Sequence, residues 1–218
     1  MQQKAKSDSL KIKVCGMRDL ENINGLIDLG VDYMGLIFYP ASSRYIGEES
    51  SYKEVSGVEK VGVFVNSTVD QIQEAISIHG LSLVQLHGNE SPEFAKQVKS
   101  LGVQVIKAFS VKSISDLQKA DSYSEAVDYY LFDTKGKNPG GNGKAFDWPI
   151  LNSRAFARPF FLAGGLNSNN IEGISVINNP AFYAVDLNSG VEDSPAQKNI
   201  KEIEKIKNKL AGICQNIQ

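Results

Sequence analysis

Residues 61–65 (VGVFV), 83–87 (LVQLH) and 103–109 (VQVIKAF) are short apolar runs rich in β-branched side chains. Their apolar character is continuous rather than alternating, which suits strands covered on both faces, as in a parallel sheet. The stretches between them start like helices. Thr68 followed by Gln71 makes a capping-box pattern ahead of Val69, Ile72 and Ile76. Ser91-Pro92 sets a capping hydroxyl before a proline at the first helical position, ahead of Phe94, Val98 and Leu101.

The same alternation extends in both directions. Runs at 10–15 (LKIKVC), 33–39 (YMGLIFY), 129–133 (YYLFD), 160–163 (FFLA) and 182–187 (FYAVDL) bring the candidate strands to eight. Their first residues step by about 25 on average, slightly below the ~30 of a typical βαβ unit. Asp19 precedes Leu20, Ile23, Leu26 and Ile27; Ser113 and Asp116 form another box; Ile200, Ile203, Ile206 and Leu210 share one helical face. The segments 47–56 and 147–157 are poorly periodic and form the weak links.

A chain of 218 residues fits either one large α/β barrel or two small domains, and no stretch resembles an interdomain linker. The expectation is therefore a single (β/α)8 TIM barrel with parallel strands over residues 10–218, preceded by a flexible extension at residues 1–9. An open doubly wound sheet uses the same local units and is the structural runner-up.

Composition narrows the function. With 42% hydrophobic and 22% charged residues the chain is neither collagen-like nor disordered. A net charge of −2 supplies no global field for nucleic acid or an anionic membrane, whereas a compact anionic ligand needs only a local pocket. No uncharged apolar run approaches the ~18 residues of a membrane span. The opening MQQKAKSDSL lacks the apolar core of a signal peptide, so a cytoplasmic protein is expected, with Cys15 and Cys214 as free thiols.

In such a barrel the chemistry gathers where the strands end. Cys15, His87 and Asp133 end candidate strands 1, 4 and 6; Gly164-Gly165 follows strand 7, and Asp186 to Gly190 closes strand 8. Turns after strands 7 and 8 commonly bind phosphate through backbone N–H groups, and Ser189 adds a hydroxyl beside Gly190. A cysteine at a strand end is commonly a small buried hydrophobe. Paired with an aspartate on one rim, it also meets the need of a two-site proton transfer for a base and an acid. The base role requires thiolate, against an ordinary pKa of about 8.5; the acid role requires burial to raise a carboxyl above about 3.9. Arg44, after Tyr39-Pro40, offers a fork for a carboxylate. His79 and His87 are the only histidines, too few for a zinc cluster. Residues 136–144, with four glycines in nine, read as a lid beside Asp133 and lack any nucleotide-binding spacing.

Lys13-Val-Cys-Gly-Met17 resembles the first-strand KxCG signature of phosphoribosylanthranilate isomerases. The likeness continues through Ser43-Arg44-Tyr45, Val61 to Asn66, Val84-Gln-Leu-His-Gly88, Phe132-Asp-Thr134, Gly140 to Trp148, Ala163-Gly-Gly-Leu166 and Ala184 to Glu192. It spans residues 11 to about 210, in order. There are departures: Met17-Arg18 stands in place of an aliphatic residue and Thr, Asn188 replaces a frequent Ser, and Ser194 to Asn199 lacks the Gly and Asp of the family's Pro-Gly-Lys-Asp pattern.

The resemblance implies an Amadori rearrangement of N-(5-phosphoribosyl)anthranilate, in tryptophan biosynthesis, without cofactor or metal. It casts Asp133 as general acid and Cys15 as general base, gives Arg44 the anthranilate carboxylate, and gives Gly164, Gly165, Ser189 and Gly190 the phosphate. Gln85, His87 and Asp186 would line the pocket. A small phosphorylated substrate is the partner expected, with neither nucleic acid nor membrane, and a monomer or homodimer as the assembly. Two other readings fit the barrel and its phosphate turns: an isomerase or epimerase of another sugar phosphate, and a non-catalytic barrel that binds a phosphorylated ligand.

Overall fold

The computed structural model describes residues 10–47, 51–134 and 148–215. The expected extension at 1–9 and the glycine-rich segment 136–144 lie outside these residues.

Eight strands close into a parallel barrel in chain order: β1 (Lys11–Cys15), β2 (Tyr33–Ile37), β3 (Glu59–Phe64), β4 (Leu83–Leu86), β5 (Gln104–Ser110), β6 (Tyr129–Asp133), β7 (Phe160–Ala163) and β8 (Phe182–Leu187). β8 pairs with β1, which leaves no edge. The strands fall on the apolar runs because both faces are buried. One face points into the barrel, where Tyr33, Val61, Leu83, Ile106, Leu131 and Phe161 pack together; the other meets the outer helices.

Capping decides where those helices begin. Asp19 accepts from Asn22 N at the start of α1 (Leu20–Asp28), and Thr68 and Gln71 complete their reciprocal box at α2 (Val69–His79). Ser91 caps α3 (Pro92–Lys99), and the carboxylate of Asp116 takes the Lys112 and Ser113 N–H groups at α4 (Ile114–Gln118). α5 (Ile200–Gln215) returns to pack on α1 and on the 3₁₀ turn Ile171–Val176. The two weak links behave differently. Residues 148–152 form one 3₁₀ turn, while the described residues between β2 and β3 contain no helix. There the outward-facing Lys60 of β3 donates to the carbonyls of Tyr52, Lys53 and Val55, and Tyr52 stacks on His79 of α2. A buried ammonium gathers the carbonyls that a helix would have satisfied internally.

The departures at 194–199 now have locations. β9 (Glu192–Ser194) and β10 (Gln197–Lys198) form an antiparallel hairpin after β8. Ala196 sits at its tip with φ 67°, a left-handed conformation that glycine would take without strain. Asn199 performs the helix-capping task open to an aspartate there, accepting from Glu202 N at 3.1 Å. Arg18 is anchored as well: its Nη1 reaches Tyr45 O at 3.3 Å, and its own carbonyl accepts from Tyr52 Oη at 2.8 Å.

Candidate active site

Period-2 alternation puts Lys13 and Cys15 on the same inner face of β1, stacked toward its C-terminal end. Cys15 is a free thiol, 4% exposed, packed with Ile37 and Val63. It pairs in register with Gly35 of β2, where a Cβ would stand 2.8 Å from its sulfur. The thiol thus fits because that neighbour carries no side chain. Below it, Lys13 is fully buried and its Nζ donates to Asp186 Oδ1 at 2.9 Å, across the β1–β8 pairing of Lys13 with Asp186. Burial pushes the Cys15 thiol above its ordinary value; Lys13 and then Lys198 pull against that, favouring thiolate, while Asp186 adds to the upward shift. Burial likewise raises the Asp186 carboxyl, against the pull of Lys13.

Asp133 ends β6, 9% exposed and in register with Ser110 and Ala163. His87 extends β4 inward, with its Nε2 4.0 Å from Asp133 Oδ2 and its Nδ1 2.8 Å from Gln85 Nε2. With the Gln85 amide as donor, Nδ1 is the acceptor, so the proton of the neutral ring lies on Nε2, toward Asp133. Both residues border a cavity of about 720 Å³ on the β3–β6 side of the mouth, shared with Asn66, Ser110, Lys107 and Tyr123. Among its lining residues Lys107 is held in place, pairing with Glu90 at 3.1 Å and donating to the carbonyls of Leu86 and Gly88.

The turns after β7 and β8 touch each other. Gly164 and Gly165 adopt φ 116° and 68°, and a Cβ on Gly164 would lie 2.7 Å from Thr134 Oγ1, beside Asp133. Ser189–Val191 forms a 3₁₀ turn, in which a Cβ on Gly190 would collide with the carbonyl oxygen of Leu166. Glycine is required for these close approaches, and together the turns line the β7–β8 side of the rim.

Arg44 is placed differently from the open fork expected of it. Its Nε lies 2.8 and 3.0 Å from the two Glu192 oxygens, and its Nη2 lies 2.6 Å from Oε2. Glu192 also takes Lys198 Nζ at 2.5 Å, and Lys198 reaches Asn188 Oδ1 at 2.8 Å. Burial opposes the ionisation of Glu192, but the bonds from Arg44 and Lys198 outweigh it and hold its carboxyl below the ordinary value.

The barrel therefore gathers Cys15, Gln85, His87, Asp133, Asp186 and the two glycine turns at one end, with Arg44 over the β1–β2 sector. Lys13, Glu192 and Lys198 were not singled out from the sequence. Lys13 had a readable signal, an inward lysine two positions before a strand-end cysteine; the other two acquire their roles only from partners distant in the chain.

Over residues 12–209 the chain matches the family model described as N-(5'phosphoribosyl)anthranilate (PRA) isomerase. The chain belongs to the phosphoribosylanthranilate isomerase family. The family's activity comes with membership: it is an enzyme that isomerises N-(5'-phosphoribosyl)anthranilate in tryptophan biosynthesis. It is 41% identical over 202 residues to the N-(5'-phosphoribosyl)anthranilate isomerase of Parabacteroides distasonis, covering 90% of each chain. To that of Phocaeicola vulgatus it is 40% identical, covering 91% of this chain and 97% of the relative. The crystal structure of the family's Thermotoga maritima enzyme superposes with a TM-score of 0.83 at 36% identity, over 93% of this chain and 99% of that one. A second phosphoribosyl anthranilate isomerase structure, 33% identical with a TM-score of 0.81 over the same shares, holds reduced 1-(o-carboxyphenylamino)-1-deoxyribulose 5-phosphate. No helix among the described residues is long and apolar enough to cross a membrane.

Proposed function

We propose that the isomerisation is carried out by Asp133 as general acid and Cys15 as general base, with the phosphate on the β7 and β8 turns. The supporting observation is the order of strands around the ring. Going from β1 through β8 and β7 to β6, the base comes first, then the two glycine turns, then the acid. A substrate anchored by its phosphate between them presents its sugar to both proton-transfer groups.

Asp133 gives a proton to the furanose ring oxygen, the C1′–O bond breaks, and the nitrogen lone pair forms an iminium. Cys15 thiolate then takes the C2′ proton, whose electrons flow into the iminium to give the enolamine. Tautomerisation gives the ketone, and one proton passing from thiol to carboxylate restores both groups. The iminium is what lets a thiolate suffice, since it acidifies the adjacent C–H. Lys13 sits where it favours that thiolate, and His87 sits where it can orient Asp133. Arg44 takes the anthranilate carboxylate, while Gln85 and Asp186 line the pocket. One chain holds all these groups, so either a monomer or a homodimer would serve; the Thermotoga maritima relative has been studied as monomers generated from a dimer. A cytoplasmic setting, which keeps Cys15 reduced, suits the proposed base.

The test follows the loss of phosphoribosylanthranilate fluorescence without added metal. Cys15→Ala and Asp133→Asn should each slow turnover by about 10²–10⁴-fold, the usual contribution of a positioned acid or base. Because burial raises the thiol's pKa, the wild-type rate should climb with pH above neutrality, and that limb should vanish in Cys15→Ala. Full activity in both variants would sink the assignment.

A further inference from the structure

We propose that Glu192 is a positioning residue for recognition of the substrate's aryl carboxylate, holding Arg44 by one edge of its guanidinium so that the other edge is presented to the ligand. The inference rests on the proposed pairing of Arg44 with that carboxylate, and adds the group that makes the pairing specific.

A guanidinium has two edges able to take a carboxylate in a fork: the side edge, Nε with Nη2, and the end edge, Nη1 with Nη2. Glu192 occupies the side edge with contacts of 2.6 to 3.0 Å. At the end edge, Nη1 has a contact of 3.5 Å to Ser43 Oγ, the outer limit of a hydrogen bond. The Arg44 stem lies over the residue after Cys15: a Cβ on Gly16 would be 2.7 Å from Arg44 Cδ and 3.1 Å from Asn188 Oδ1. The same Glu192 carboxylate binds Lys198, whose Nζ also reaches Asn188. One buried acid thus ties the loop after β2, the turn after β8 and the β9–β10 hairpin to a point beside the thiol.

Charge supports the role. An arginine fully neutralised by one glutamate would attract a second carboxylate weakly. Here two cations, Arg44 and Lys198, share the single acid, which leaves the triad a net positive charge for an incoming anion. Without Glu192, the long Arg44 side chain regains its rotamers, and closing the fork on a ligand then costs that freedom.

The experiment measures binding of two probes by calorimetry: reduced 1-(o-carboxyphenylamino)-1-deoxyribulose 5-phosphate and its counterpart with an unsubstituted phenyl ring. Wild type should prefer the carboxylated probe by about 10- to 100-fold, the range of a charge-assisted fork. In Glu192→Ala that ratio should fall below about threefold, while affinity for the phenyl probe stays within about twofold, which also shows that the barrel remains folded. Glu192→Gln, keeping one carbonyl acceptor, should retain an intermediate ratio. With the natural substrate, Glu192→Ala should raise KM while kcat changes by less than about threefold, the pattern of lost ground-state binding. Equal weakening toward both probes, or an unchanged ratio, would overturn the proposal and leave Arg44's assignment standing. If wild type itself binds both probes alike, the pairing of Arg44 with the carboxylate falls, and this proposal with it.

Discussion

The two ends of the barrel interior are built from the same strands by the same alternation, yet they contain opposite chemistry. Near the N-terminal ends, Tyr33, Tyr129, Phe161 and Tyr183 close the barrel with aromatic rings whose centroids lie 5.2 to 6.4 Å apart. Near the C-terminal ends the inward residues are Cys15, Gln85, His87, Asp133 and the Lys13–Asp186 pair. Single strands make the change within four residues: Tyr129, Leu131, Asp133 on β6, and Leu83, Gln85, His87 after it on β4. The aromatic end supplies burial, and the charges nearest it, Lys11 and Asp32, pair at 2.8 Å on its part-exposed margin. The polar end hosts ions that are tolerable only because each has a partner. Stability and chemistry are thereby placed at opposite ends of one core, so substitutions at the two ends should separate them.

The largest expected loss of stability is at the aromatic end. Phe161 is fully buried between Tyr33, Tyr129 and Tyr183, and Phe161→Ala should cost about 3–5 kcal/mol through lost burial and the cavity left behind. Urea denaturation measures the cost, and turnover at a temperature where the variant is folded should stay within a few-fold of wild type. A rate that fell as far as in Cys15→Ala would break the separation. Asp186→Asn makes the converse test. The substitution leaves the Lys13 ammonium with a neutral acceptor in place of a carboxylate 2.9 Å away, for about 1.5–3 kcal/mol. Here turnover should fall with stability, because Lys13 loses the partner that fixes it beneath Cys15.

These two ends were not equally legible in the sequence. The aromatic and aliphatic layers were readable because continuous apolar runs announce strands buried on both faces, and all eight runs became barrel strands with boundaries shifted by two residues at most. Helix starts were readable where a cap lies within three residues of its partner, as at Thr68 with Gln71. The rim residues Cys15, His87 and Asp133 were readable as the places where apolar runs stop. What was hidden depends on distant partners. Lys13 bonds to a residue 173 positions away and Arg44 to one 148 away; the inward place of the lysine is readable from its spacing to Cys15, but neither its ion pair nor the edge-on capture of the arginine leaves a local pattern. The same holds for Lys60, a lysine on an apolar strand whose reason lies in three carbonyls of a loop without a helix.

The smallest effect refines the comparison, since the aromatic end is not wholly apolar. Tyr33 Oη and Tyr183 Oη lie 2.6 Å apart. Tyr183→Phe removes that bond and keeps the ring, so about 0.5–1.5 kcal/mol should be lost. The lower half of that range is expected, because the pair is only part-buried and water can replace one hydroxyl. The melting temperature should drop by roughly 1–4 °C for a chain of this size. Burial, and then the bond to Tyr183, raise the Tyr33 pKa above the ordinary tyrosine value. For an acid held protonated in the folded state, the stabilisation is complete below the unfolded pKa of about 10 and is lost as pH rises above it. Burial, the larger cause, persists in Tyr183→Phe, so both proteins should lose stability alike above pH 10 and the wild-type margin should stay constant from pH 7 through that fall. A margin that grew with pH would mean that the phenol pair stabilises an ionised tyrosine, and that the aromatic layer itself holds a charge.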